Sequence, residues 1–292
     1  MFARLAAGLA LLLIGAAPAA RPAADARAWL AACRGKDGWS DPAPPVRLFA
    51  NVADVGSCGI TALLIAGPQG HVLIDGATAE AAPAIARNIQ RLGYRLRDVR
   101  LILNSHEHLD HAGGLALLQR LTGARVPARA EARRALETGQ TEPDDPQHGL
   151  LAPFAGVRVD RLVRDGEVLR VGPIALTALA TPGHTRGGTS WSWRRCAGRD
   201  CRTIVYADSL SAVSAEGYRF SDHPALVATF RASFAKVAAL RCDMLFTPHP
   251  SASAFAERLA GTRPLADPAA CQHYAQAAAA RLDARLAQET GA

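Results

Sequence analysis

Asn104-Ser105-His106-Glu107-His108-Leu109-Asp110-His111-Ala112-Gly113-Gly114 brings three imidazoles and the Asp110 carboxylate together within six residues. The apolar run Val99 to Leu103 precedes it and the amphipathic run Leu115 to Leu121 follows, so the spacing predicts a strand, a loop and a helix with every candidate ligand on the loop. Residues two apart in an extended segment point the same way, which lets His106 and His108 face one metal. A turn after them would let Asp110 and His111 face a second. Imidazole and carboxylate without thiolate suit zinc best among the common ions. A solvated loop with chance histidines is the bland alternative, but three of the chain's nine histidines fall here, which speaks against it.

The 292 residues, 49% hydrophobic and 20% charged, have an ordinary globular balance and are enough for one large domain. Basic residues number 33 against 26 acidic ones, a net charge of +7. Lys36 and Lys236 are the only lysines, and the arginines are scattered. A nucleic-acid surface would cluster them, so no nucleic-acid partner is expected, and the charge is read as favouring solubility and anionic substrates.

Residues 1–20 read as a signal peptide: Arg4, the apolar stretch Leu5 to Ala17, then Ala17-Pro18-Ala19 as a small-residue cleavage site. The stretch is short for a membrane span, so the mature chain, 21–292, is expected in the periplasm with no membrane association. A lipoprotein cysteine in Leu30-Ala31-Ala32-Cys33 is disfavoured because Arg21, Asp25, Arg27 and Trp29 separate it from the apolar run. Six cysteines in an exported chain imply disulfides. Cys196 and Cys201 flank a turn and are expected to close a hairpin, with Cys33–Cys58 and Cys242–Cys271 as the most local remaining pairs. No pair has the Cys-x2-Cys spacing of a zinc ribbon.

Prolines 22, 42, 44 and 45 predict an irregular segment over 21–45. Val46 to Val52, Ile60 to Ala66 and His71 to Asp75 then read as an antiparallel meander, followed by a helix from Ala79 to Leu92. Asp75, at a strand end, is expected to tie down its neighbouring loop rather than to act in catalysis. Residues 139–153 form a long loop, read as solvated, in which Gln147 is a candidate substrate contact. The second half repeats the theme with Val157 to Val163, Glu167 to Val171 and Ile174 to Ala180. The last leads into Thr181-Pro182-Gly183-His184, a bend that presents an imidazole. Polar groups thus recur after strand ends at Asp75, His106, His184, Asp208 and His249. Loops converging from one edge of packed sheets are what an α/β protein of the four-layer αββα sandwich type provides, here with two similar halves.

His106-x-His108-x-Asp110-His111, with His184 in its Pro-Gly-His-Thr turn and His249 in Thr247-Pro248-His249-Pro250-Ser251, resembles the metallo-β-lactamase superfamily. Gly187-Gly188-Thr189-Ser190-Trp191 and Tyr206-Ala207-Asp208-Ser209-Leu210 resemble the third subclass of class B β-lactamases, B3. The likeness spans about Gly35 to Arg285. It implies two Zn2+ per chain, the first held by His106, His108 and His184, the second by Asp110, His111 and His249. It also implies a β-lactam substrate whose amide is opened by a zinc-bridging hydroxide, with Asp110 as the catalytic residue that orients it and Ser209 and Ser211 binding the substrate carboxylate. Penicillins, cephalosporins and carbapenems are the expected substrates, antibiotic resistance the expected consequence, and a monomer the expected state.

Ser209 stands where many sister hydrolases place a bridging Asp, and Asp208 is one residue away. A one-residue shift would make Asp208 the bridge, which keeps an exported hydrolase of thioesters or lactones as the alternative. A zinc protein without catalysis fits less well, because six ligands over two ions leave open coordination positions. His71, His148, His223 and His273 have no partner at ligand spacing and are expected in surface or capping roles. A serine nucleophile lacks both a Gly-x-Ser-x-Gly elbow and a Ser-x-x-Lys pair.

Overall fold

The computed structural model describes residues 23–291; the expected signal peptide lies outside them. Helix α1 (Ala24–Ala32) replaces part of the predicted irregular segment. Pro22 precedes this helix and the other prolines follow it, so none interrupts its hydrogen bonds, and burial of Trp29 gives it a reason to form.

Strands β1 (Val46–Phe49), β2 (Val52–Asp54), β3 (Leu63–Ile65) and β4 (His71–Ile74) make an antiparallel meander. Helix α2 (Ala82–Arg91) then carries the chain across to β5 (Val99–Leu103), which joins parallel to β4. The site loop opens into the short helix α3 (Leu109–Ala112) and then α4 (Leu115–Thr122). β6 (Pro127–Arg129) and α5 (Ala130–Thr138) follow. The run read as a strand over Val157 to Val163 pairs only at its end, as β7 (Arg161–Val163). It lies parallel to β6 in a separate two-stranded sheet, while Val157 and Val159 pack on the helical side of the first sheet.

The second five-stranded sheet repeats the first. β8 (Val168–Val171), β9 (Ile174–Ala180), β10 (Thr189–Ala197) and β11 (Asp200–Tyr206) form the meander. After α6 (Pro224–Ala238), β12 (Met244–Phe246) adds parallel to β11. Helices α7 (Phe255–Ala260) and α8 (Ala270–Thr290) complete the chain.

Period-two alternation sorts the side chains into layers. Leu63, Ile65, Val72, Ile74, Leu101 and Leu103 face Leu176, Trp191, Ile204, Tyr206, Met244 and Phe246 across the inter-sheet core. Leu64, Leu73 and Ile102 point the other way, against α2 and α4; Val205 and Leu245 point against α6 and α8. Helix, sheet, sheet, helix is therefore the layer order, an αββα sandwich. Disulfides join Cys33 to Cys58, Cys196 to Cys201 across the β10–β11 hairpin, and Cys242 to Cys271. The last ties the start of α8 to the lead of β12.

Candidate metal centre

The loop after β5 is stitched to both sheets. Asp75, just beyond β4, accepts the Ser105 backbone N–H and the Ser105 hydroxyl at 2.6 Å each, and the Tyr206 hydroxyl from the opposite sheet at 2.8 Å. Its backbone is left-handed (φ 65°), a conformation that Asp tolerates better than most residues. The Asn104 carbonyl accepts Trp191 Nε1–H at 2.9 Å and the Ser105 carbonyl accepts Thr189 N–H at 2.7 Å. His106 and His108 can then project together from a fixed backbone.

Glu107, between them, projects the other way. Buried, it accepts the Thr185 hydroxyl and the Gly187 N–H at 2.9 Å each, clamping the turn that carries His184 to the first loop. A side chain at Gly187 has no room: a Cβ there would lie 2.4 Å from the Ala132 Cβ and 2.6 Å from a Glu107 oxygen.

His106, His108 and His184 are each anchored through one ring nitrogen, leaving the other to face the cluster. His106 Nδ1 donates to Asp208 Oδ1 at 2.8 Å, His108 Nε2 to Asp145 Oδ2 at 3.0 Å and His184 Nδ1 to the Ser211 carbonyl at 2.8 Å. His111 Nδ1 lies 3.3 Å from Asp75 Oδ2, and His249 makes a backbone hydrogen bond with Gly59. Such outer partners fix the tautomer and orientation of metal-ligating histidines.

The remaining atoms fall into two adjoining groups. Ligand atoms of His106, His108 and His184 lie within 4.8 Å of one another, as do those of His106, Asp110 and His111. His106 Nε2 is buried with no hydrogen-bond partner among the described residues. In the second group His111 Nε2 is 3.1 Å from Asp110 Oδ2 and 3.3 Å from His249 Nε2, and His249 Nε2 is 3.4 Å from Asp110 Oδ2. Tetrahedral bonds of about 2.0–2.1 Å require ligand atoms roughly 3.3–3.4 Å apart. The triangle fits zinc.

Protonation follows the same geometry. Burial and the surrounding imidazoles hold His106 well below its ordinary value, and burial takes His184 to about 3 and His249 to about 4, so their lone pairs are free. Burial would raise Asp110, yet His111 and His249 beside it hold the carboxyl below its usual range. Burial opposes a charge on His111, but Asp110 and Asp75 carry it up to about 10, a proton that a bound cation would displace.

Asp208 is fully buried behind His106 and stands outside both groups of ligand atoms. The loop over 139–153 is not solvated throughout. Asp145, Pro146 and Gln147 are buried, and the Gln147 amide nitrogen sits 3.4 Å from His108 Nδ1 and 3.5 Å from His184 Nε2. Ser209 and Ser211 line a cavity of about 300 Å3 with His249. His71 is buried and accepts the Gly67 N–H, while His148, His223 and His273 are exposed. Asp145 and Glu107 escaped the sequence reading. Asp145 is separated from His108 by a distance in the chain that no spacing rule covers, and only the alternation of Glu107 with two histidines hinted at its outward role.

A sequence model described as the metallo-β-lactamase superfamily matches residues 55–249. The solved metallo-β-lactamase MIM-1 from Novosphingobium pentaromativorans is 48% identical, with a TM-score of 0.87 over 89% of this chain and 97% of its own. MEM-A1, a subclass B3 metallo-β-lactamase from a soil metagenome library, is 46% identical, with a TM-score of 0.82 over 87% of this chain and 99% of its own. Among curated proteins, a hydroxyacylglutathione hydrolase of Rhodopseudomonas palustris is 38% identical over 49% of this chain and 47% of its own length. The chain spans about half the length of the curated relatives it matches.

Proposed function

Since the chain belongs to the metallo-β-lactamase superfamily and is similar to subclass B3 enzymes over nearly their whole length, we propose that it is an exported, zinc-dependent β-lactamase. Penicillins, cephalosporins and carbapenems are the substrates, two Zn2+ the cofactor, the periplasm the compartment and the monomer the working state. No helix among the described residues is long and apolar enough to cross a membrane. The observation that carries the proposal is the pairing of two adjoining ligand groups, each anchored from behind, beside a cavity lined by Ser209 and Ser211.

His106, His108 and His184 would hold one ion and Asp110, His111 and His249 the other. Zinc in such a setting supplies Lewis acidity and, by lowering the pKa of water to about 7, a hydroxide at neutral pH. Asp110 is the one carboxylate among the ligand atoms, held ionised by His111 and His249. It orients the attacking water by accepting its hydrogen bond and takes up its proton, which then passes to the amide nitrogen as the ring opens. The Ser209 and Ser211 hydroxyls donate to the substrate carboxylate, and the Gln147 amide roofs the first group where the acyl portion sits. The contact between His108 Nε2 and Asp145 turns the His108 Nδ1 towards the cluster.

The curated hydroxyacylglutathione hydrolases keep a thioester reading in view. Asp208 in its place behind His106, with Ser209 lining the cavity, supports the β-lactam reading over it. Hydrolysis of a chromogenic cephalosporin by the purified protein tests the proposal. Activity should vanish with a chelator and return with zinc. Metal-replete protein that leaves the cephalosporin intact while cleaving an acyl thioester would overturn it.

A further inference from the structure

The cavity beside Ser209 and Ser211 also takes in Arg281, which neither the ligand set nor the mechanism uses. Arg281 lies on α8, whose position is fixed at two points. Cys271 is bonded to Cys242. Tyr274 is buried, its hydroxyl donating to the Asp208 carbonyl at 3.0 Å and accepting the Leu210 N–H at 3.2 Å, on either side of Ser209. Residues seven apart lie nearly two full helical turns from one another, so Arg281 emerges on the face that Tyr274 presents to this loop. The helix that holds the Ser209 loop therefore also sets a guanidinium over the same cavity.

That guanidinium is uncommitted. Four residues further along α8, Arg285 is bound to Glu289, to the Ser214 hydroxyl and to the Tyr218 carbonyl. Arg281 has no acidic partner and no hydrogen bond among the described residues, and it is exposed at the cavity rim. The Ser209 hydroxyl likewise makes no hydrogen bond among them. A planar five-donor cation beside two hydroxyls, with nothing internal to satisfy it, matches a carboxylate bound through both oxygens. Bicyclic β-lactams carry such a carboxylate next to the ring nitrogen. At about 300 Å3 the cavity is at the small end of ligand sites, suited to that end of the molecule.

We propose that Arg281 is a specificity-determining residue that completes a carboxylate subsite with Ser209 and Ser211. The inference rests on the β-lactamase reading of the site. Arg281→Ala is safe for the fold, since the residue is exposed on a helix and Ala has the highest helix propensity. Steady-state kinetics of the zinc-loaded protein on a penicillin and on its methyl ester provide the test. For the free acid, R281A should raise KM about tenfold or more with kcat little changed, as expected when binding is lost equally from ground and transition states. For the ester the two proteins should agree, and R281K should recover part of the loss. The salt dependence of KM for the acid should flatten in R281A, because one screened attraction is gone. An unchanged KM for the acid, or equal losses for acid and ester, overturns the proposal. If the unaltered protein hydrolyses no β-lactam, the enzyme assignment fails by itself. Calorimetric binding of the acid and the ester then still decides on Arg281, which is upheld by an acid-selective loss in R281A and rejected without one.

Discussion

The two halves of the molecule share a scaffold but divide the chemistry unequally. In each, a four-stranded meander is followed by a helix and a fifth strand lying parallel to the fourth. In each, an aspartate just past the fourth strand backs a histidine: Asp75 stands behind His111, and Asp208 behind His106. The loop after β5 then supplies four candidate ligands, whereas the loop after β12 supplies His249 alone and the β9–β10 bend supplies His184. The first half contributes to both proposed ligand sets, and His184 and His249 of the second half complete them. Packing the two sheets together is what builds the candidate metal centre, so that centre and the inter-sheet core are one structure.

The largest expected effect tests this division of labour. His184→Ala removes the second half's only contribution to the first group, and turnover should fall to near background while zinc content drops from two ions per chain towards one. Elemental analysis alongside cephalosporin hydrolysis measures both. Full activity in a variant still holding two zinc ions would show that the first group does not need the second half.

A smaller effect separates the two backing aspartates. Outer partners of metal-ligating histidines are worth about 10–100-fold in affinity or activity. Asp208→Asn should lose about that much while leaving thermal stability nearly unchanged, because the amide oxygen can still accept the proton of His106. In Asp75→Asn an amide would have to replace an oxygen that accepts both the Ser105 and Tyr206 hydroxyls. Leaving such donors unpaired costs about 1–3 kcal/mol. This variant should therefore also melt at lower temperature. Equal melting temperatures for the two variants would mean that the halves use their aspartates alike.

What the sequence revealed follows the same contrast. The four clustered ligands were legible because one loop carries them, and His184 and His249 because proline and glycine mark their bends at strand ends. The αββα layering was legible because short runs alternate with period two, and the resemblance added the subclass. Asp145 and Glu107 were not, since each acts across the fold on a residue distant in the chain, and neither was Arg281, since only the fold brings α8 beside the Ser209 loop. The Val157 to Val163 run shows the limit of periodicity. Its alternation is strand-like, yet Val157 and Val159 satisfy their burial against helices, and only three residues find a partner strand. Residues 23–33 show the converse, where surrounding prolines suggested irregularity but left a proline-free interval long enough for a helix.

The smallest expected effect on turnover, none at neutral pH, comes from a feature of the first half alone. Asp54 in β2 is fully buried, whereas β9, the strand in the matching position, carries no carboxylate. Burial lifts Asp54 to about 7, against the two backbone N–H groups of Gly56 and Ala62 that donate to its Oδ1. The folded state thus holds a proton that the unfolded chain releases near pH 4. Stability from this group is complete below that pH, is lost as pH rises towards about 7, and is constant above. At about 1.36 kcal/mol per pH unit, a separation of roughly three units sets an upper bound of ~4 kcal/mol. Asp54→Asn removes the ionisation, so the difference in unfolding free energy between the two proteins should change between pH 5 and pH 8 in favour of the variant at the higher pH. Denaturant titrations with the disulfides intact measure it. A difference that stays constant over that range would mean that Asp54 ionises in the folded protein as it does in water, and that the first sheet shelters its carboxylate no better than the surface would.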